Sequence, residues 1–172
     1  MNSTSLNAMM REAALLSRMG RLVEAAAVYA RLLSRWPESA DAWYNLALIQ
    51  RRLGRFDDAL ASYAKALEHR ITKPEEVHLN RAVIFADDLR REAEAEGELV
   101  KALTINPEYV PAHLNLANLR EDQGDRTGAL ALYERAVCLD PTCYTALARV
   151  AGLQSVEARH DPLIVQIQQA IA

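Results

Sequence analysis

The stretch ADAWYNLALIQRRLGRFDDALASYAKALE, residues 40–68, reads as two short helices joined by a glycine. Trp43, Leu46, Ala47 and Gln50 fall at i, i+3, i+4 and i+7, the stripe of a helix that buries one face. That spacing predicts a helix from about Ala40 to Leu53, with Ser39 or Asp41 as its cap. Gly54 supplies the left-handed residue that ends it. Asp57 and Asp58 favour the start of a second helix, which runs to about Glu68. Ala59, Tyr63 and Ala66 share one face of that helix. Small alanines let two helices approach closely, and the tyrosine fills the gap they leave.

The same pattern recurs along the chain. Tyr29, Tyr63, Leu99 and Tyr133 each follow an alanine by four residues (Ala25, Ala59, Ala95, Ala129), at intervals of 34 to 36 residues. Gly20, Gly54 and Gly124 mark the turn inside three units, and Pro37, Pro107 and Pro141 close three. A period of this size is the signature of stacked helical hairpins. The expected organisation is one all-α domain over residues 1–172, with repeats at about 6–39, 40–74, 75–109 and 110–143 and a further hairpin or cap at 144–172. Ile71 stands where a closing proline is expected, and Pro74 follows three residues later, which lengthens the turn. The third unit has Leu89 or Arg90 in place of the turn glycine and one extra residue in that turn, marking it as the place for the stack to bend. A fifth first helix is expected from Tyr144 to about Ala158, and Asp161-Pro162 start a last one. That last helix, Leu163 to Ala172, is apolar enough to cap the final hairpin, to pair with a second copy, or to be the cut edge of a longer array.

Composition removes several classes of function. A net charge of −3 argues against a protein that neutralises many nucleic-acid phosphates. Cys138 and Cys143 have no second pair and no nearby histidine, so they read as thiols of a reducing cytoplasm, with Cys138 a small packed residue, and not as a zinc site. Met1 to Asn7 is polar, with no apolar stretch and cleavage site after it, and no run approaches the ~20 apolar residues of a membrane span. The expectation is therefore a cytoplasmic protein with neither membrane nor nucleic acid as partner. His78 and His113 occupy the position of Trp43 in their own units and are expected to pack between helices. No nucleophile is patterned with a base and no glycine loop could cradle phosphate, so no catalytic residue, metal or cofactor is expected.

These matched positions resemble the tetratricopeptide repeat, whose pattern is W-x2-L-G-x2-Y, then A-x3-F, then P. The second unit gives Trp43, Leu46, Ala47, Gln50, Ala59 and Tyr63. The first gives Met9, Ala13, Leu16, Gly20, Ala25, Tyr29 and Pro37, and the fourth His113, Leu116, Ala117, Ala129, Tyr133 and Pro141. The third is the most divergent, with His78, Ala82, Phe85, Ala95, Leu99 and Pro107. The resemblance spans about residues 6 to 143 and implies a right-handed α-solenoid in which the first helix of each hairpin lines an inner wall. It implies a scaffold that binds protein or peptide; what it binds must come from positions the pattern leaves free.

One free column is informative. The residue two before the central alanine is Arg11, Asn45, Asn80, Asn115 and Arg149, spaced 34, 35, 35 and 34. Asparagine is a mediocre residue inside a helix, so its recurrence there points to use. Its amide is both donor and acceptor and can pair with the N–H and C=O of an extended peptide, while the arginines can grip carboxylates. Tyr44, Leu48, Leu79, Val83 and Leu114 are expected on the same wall as apolar contacts for a partner. Arg11, Arg18, Arg51 and Arg52 lie toward the start of the wall, and Asp87, Glu121 and Asp122 toward its end, a gradient that would orient a peptide.

Two known versions of such a groove can be set against these residues. The carboxylate clamp of chaperone-binding tetratricopeptide domains is matched by Asn80, Asn115 and Arg149, but Glu76 and Thr145 stand where its lysines belong. The asparagine column is more similar to the peptide-holding superhelix attached to O-linked N-acetylglucosamine transferases. Asp161 to Ile164 resembles a segment of bacterial tetratricopeptide-sulfotransferase fusions, which implies a partner-presenting arm on a larger transferase.

Overall fold

The computed structural model describes residues 3–160, with side-chain surroundings for residues 5–154. Helices alternate with short turns throughout, and no strand occurs among the described residues. The first three hairpins pair α1 (Ser3–Arg18) with α2 (Leu22–Leu33), α3 (Ala40–Arg52) with α4 (Phe56–Glu68), and α5 (Pro74–Val83) with α6 (Glu92–Ile105). These lie in a compact unit that ends at Ile105. A second unit begins at Asn106 and holds α7 (Val110–Asp122), α8 (Arg126–Leu139) and α9 (Tyr144–His160). The all-α, repeat-hairpin class expected from the sequence is the class observed. The segment Asp161 to Ala172, with its expected last helix, lies outside the described residues.

The repeated A-x3-Y column is the core. Ala25, Ala59, Ala95 and Ala129 are fully buried, and Tyr29, Tyr63, Leu99 and Tyr133 are buried beside them. In the first unit α2 also packs on α3 and α4 on α5, so each hairpin covers the apolar stripe of the next. In the second unit α8 packs on both α7 and α9 around Ala117, Tyr133 and Ala146.

Turn geometry explains both the regular glycines and the irregular unit. Gly20, Gly54 and Gly124 have φ of 77°, 73° and 81°, where a side chain would be strained. In each case the next N–H bonds the carbonyl five residues back: Arg21 to Leu16 at 2.9 Å, Arg55 to Gln50 at 2.9 Å, Asp125 to Arg120 at 2.8 Å. In the third unit Arg90, at φ 56°, takes the glycine's place. There Arg91 N–H reaches back six residues, to Phe85 at 2.7 Å. The extra residue thus sits inside the first helix of the hairpin and not in the turn: α5 ends in a π-helical turn, Ile84–Asp88, closed by Leu89 N–H on the Ile84 carbonyl at 3.0 Å.

Two local expectations are corrected. Ser39 is the N-cap of α3, but its side chain accepts no backbone N–H; Asp125, at the start of α8, does, from Gly128. Cys138 is exposed, and Cys143 is the cysteine that packs against the core, because α8 turns Cys138 away from Ala129, Tyr133 and Ala136.

Candidate partner-binding surface

In the first unit α1 carries Arg11, α3 carries Asn45 and α5 carries Asn80; in the second, α7 carries Asn115 and α9 carries Arg149. Each asparagine amide is tied to its own helix one turn back. Asn45 donates to the Asp41 carbonyl at 2.7 Å, Asn80 to Glu76 at 2.8 Å, and Asn115 to Pro111 at 2.8 Å. A carbonyl only accepts, so this bond fixes which end of the amide is nitrogen. It leaves Oδ1 of all three without a partner among the described residues. Asn80 uses its second N–H as well, on the Tyr44 hydroxyl at 3.1 Å. Asn45 and Asn115 keep theirs.

The arginines at the two ends differ. Arg11 is exposed and makes no ion pair among the described residues. Arg149 lies 3.4 Å from Glu121, which also takes a hydrogen bond from Tyr133 at 2.9 Å, so its charge is partly answered within the second unit. The apolar members of the wall are half-buried, not open. Tyr44 meets Tyr63 edge-on with ring centroids 5.7 Å apart, and Tyr44 and Leu48 pack on the core between α3 and α5. Leu114 packs on the core of the second unit, and Leu79 and Val83 are half-buried on α5.

A cavity of about 330 Å³ opens in the first unit against α1 and α3. Ala14, Ser17 and Arg18 come from α1, and Tyr29 from α2. Asn45, Leu48, Ile49, Arg51 and Arg52 come from α3. Two of its arginines are held in place: Arg51 Nε donates to Asp88 at 2.8 Å, and Arg52 donates to the Ser17 hydroxyl at 3.0 Å. Asp88 belongs to the π-helical turn, so the irregularity of the third hairpin positions a side chain on the second hairpin of the same unit. Burial pushes the Tyr29 hydroxyl pKa up, which keeps it a neutral hydrogen-bond donor.

The sequence reading missed a buried ionic cluster. Glu98 of α6 is 4 % exposed and accepts from His78 Nδ1 at 2.7 Å, Arg81 at 2.9 Å and Lys101 at 2.9 Å. Desolvation raises its pKa, but the hydrogen bonds from His78 and Lys101 and the Arg81 charge outweigh that and bring it down to about 2. A glutamate three residues after Ala95 and one before Leu99 lies on the buried stripe, and that was the available signal. His113 packs as expected: its Nε2–H bonds the Pro107 carbonyl at 2.9 Å, as Trp43 Nε1–H bonds Pro37 at 2.7 Å. Among the described residues no group of three or more metal-ligating side chains occurs, and no helix is long and apolar enough to cross a membrane.

Tetratricopeptide repeat family models match residues 10–74, 50–111 and 112–143. The chain belongs to the tetratricopeptide repeat family. Over 152 residues it is 27% identical to the mouse protein O-mannosyl-transferase TMTC1, a match covering 86% of this chain and 16% of that protein. Over 128 residues it is 27% identical to the cytochrome c-type biogenesis protein CycH of Bradyrhizobium diazoefficiens, covering 70% of this chain and 35% of that one. The chain thus spans about a sixth to a third of these relatives. Among solved structures it is similar to MamA (17% identity, TM-score 0.76, 99% of this chain and 92% of that). It is also similar to YrrB, a TPR protein with an unusual peptide-binding site (18%, TM-score 0.67, 95% and 83%). A third is the first TPR of Spaghetti (RPAP3) bound to the HSP90 peptide SRMEEVD (22%, TM-score 0.60, 69% and 93%). At these identities the likeness is one of fold.

Proposed function

We propose that this chain is a protein–protein interaction module that holds an extended peptide or partner segment against the first helices of its hairpins. Arg11, Asn45 and Asn80 in the first unit, and Asn115 and Arg149 in the second, are its polar contacts. Tyr44, Leu48, Leu79, Val83 and Leu114 supply half-buried apolar ones. The observation that carries this reading is the cavity in the first unit, where Asn45 and Leu48 meet on the rim of α3. Within the first unit, hairpins roughly 10 Å apart would offer one amide for about every three residues of extended chain. Peptide binding in YrrB and in the RPAP3–HSP90 complex shows that this fold can serve such a role. In this reading the chain works in the cytoplasm on protein partners and carries no catalytic chemistry itself.

The test compares the wild type with Asn45→Ala/Asn115→Ala for capture of a native partner and for thermal unfolding. Both asparagines bond only their own helices, so the double variant is expected to lose the captured partner with a midpoint within a few degrees of wild type. A variant that keeps its partner, or that mainly melts early, contradicts the proposal.

One observation favours a second reading: the relative TMTC1 is a transferase of which this match spans 16%. On that reading the chain is the non-catalytic partner-binding arm of a larger transferase. An antibody against the first hairpin should then detect a native protein far above 19.2 kDa in cell extract, and a band at that mass removes this reading.

A further inference from the structure

The structure assigns the arginine-lined cavity of the first unit to a side-chain carboxylate of the bound segment, so that the partner is acidic where it crosses α1 and α3. This rests on the peptide-holding reading and adds the chemistry of the peptide.

Three arginines, Arg18, Arg51 and Arg52, line the cavity, and no acidic side chain does. Only Arg51 is answered by carboxylates, those of Asp88 at 2.8 Å and Asp87 at 3.9 Å. Arg52 is braced by a neutral hydroxyl, and Arg18 makes no hydrogen bond or ion pair among the described residues. Arg18 and Arg52 thus line the cavity without a carboxylate partner among the described residues, on a chain whose net charge is −3. Exposed arginines usually face solvent at no cost; these differ in what lies beneath them. Tyr29 and Ile49 are 2% and 3% exposed, so the floor is low in dielectric, and a charge pair above it is stronger than one on open surface. Tyr29 lines the cavity, is almost wholly buried, and its hydroxyl has no hydrogen-bond partner among the described residues. A carboxylate accepts from a hydroxyl and from guanidinium forks at once. A cavity of about 330 Å³ has room for about ten waters at ~30 Å³ each, hence for a glutamate or aspartate side chain that displaces some of them.

Position adds a second argument. Arg18 and Arg52 are 34 residues apart and occupy equivalent places in successive repeats, as do Ser17 and Arg51. These are not the column of Arg11 and Asn45; they lie two turns further along the same helices. A peptide backbone held by the asparagines would thus present a side chain to the arginines beside it.

The probe is an acetylated and amidated glycine–serine peptide of twelve residues carrying two glutamates three residues apart, so that no chain terminus contributes charge. Its partner probe has glutamine at both places. Fluorescence anisotropy at low salt is expected to show the glutamate peptide binding at least tenfold more tightly, with the difference shrinking as salt rises. Arg18→Gln/Arg52→Gln should bring the two peptides within twofold of each other while the thermal midpoint stays in place, because neither arginine bonds a carboxylate. Equal binding of both peptides to the wild type, with both weakened by Asn45→Ala/Asn115→Ala, overturns the carboxylate assignment and leaves the groove. No saturable binding of either peptide overturns the assignment and counts against the groove as well. Unchanged discrimination in the arginine variant overturns it too.

Discussion

Two kinds of polar residue in this chain are easily confused, and their hydrogen bonds separate them. Asn45 and Asn115 bond only the preceding turn of their own helix and keep an acceptor and a donor free, which suits contact with a partner. Glu98 accepts from His78, Arg81 and Lys101 on two helices and is almost fully buried, which suits stability. Asn80 does some of each, since it ties α5 to Tyr44 of α3 at 3.1 Å; Asn80→Ala should cost about 1 kcal/mol of stability besides any binding. For Glu98 the consequence is a pH dependence. Its folded-state pKa, about 2, lies below the usual carboxylate value of 4.5, so the unfolded chain binds the proton first as pH falls. The stability it contributes is fully present above pH 4.5 and is lost on descending toward pH 2. Glu98→Gln is expected to cost on the order of 2–3 kcal/mol at neutral pH and to flatten the acid limb of the stability curve. Urea titrations of both proteins at neutral pH and at successively lower pH check this; parallel acid limbs would show that the cluster does not titrate with folding.

At the scale of elements, the third hairpin shows what one residue can do. An α-helix that must reach the same turn with one residue too many can bulge, and here it forms the π-helical turn Ile84–Asp88. The bulge places Asp88 on Arg51 and leaves Arg91 stacked over Phe85, 4.9 Å from the ring centroid. Arg90 then occupies left-handed backbone at φ 56°, a conformation that costs an L-residue roughly 1–2 kcal/mol and glycine nothing. Part of that gain is offset by the looser unfolded chain of a glycine variant. Arg90→Gly should therefore raise stability by about 0.5–1 kcal/mol, read as a higher thermal midpoint, and a lower midpoint would contradict this account of the turn.

This hairpin also marks how far the sequence could be read. The helix ends came from periodicity and glycines, because those encode φ directly: α3 and α4 lie within a residue or two of where Trp43-to-Gln50 and Ala59-to-Ala66 put them. The surplus residue was legible as a number, but its resting place was not, since a helix can absorb it by a bulge that no local pattern announces. The Asn column was legible for the same reason as the core column, by repetition. The cavity was not: Ser17, Tyr29 and Arg52 come from three helices, and only packing makes them neighbours. The polarity of Glu98 hid its burial, because a charged residue reads as exposed until its three partners are seen around it.

For the molecule as a whole, the repeat makes stability a sum of hairpins and their neighbours. The first unit buries the A-x3-Y stripes of three hairpins within itself, from Ala25 and Tyr29 to Ala95 and Leu99. Residues 1–105 expressed alone should keep helical circular dichroism and unfold in one cooperative transition; a fragment without a transition would show that its core needs more chain.

The central claim is that the asparagine column touches a partner. The side-chain amide resonances of Asn45 and Asn115 test it most directly, in an NMR titration of the isotope-labelled protein with the glutamate peptide. Both amides keep a free N–H and Oδ1. Each should shift progressively and saturate, the Asn45 amide together with the Arg18 Nε–H resonance of the same unit. Binding that leaves the amides of Asn45 and Asn115 in place, while resonances elsewhere move, would contradict it.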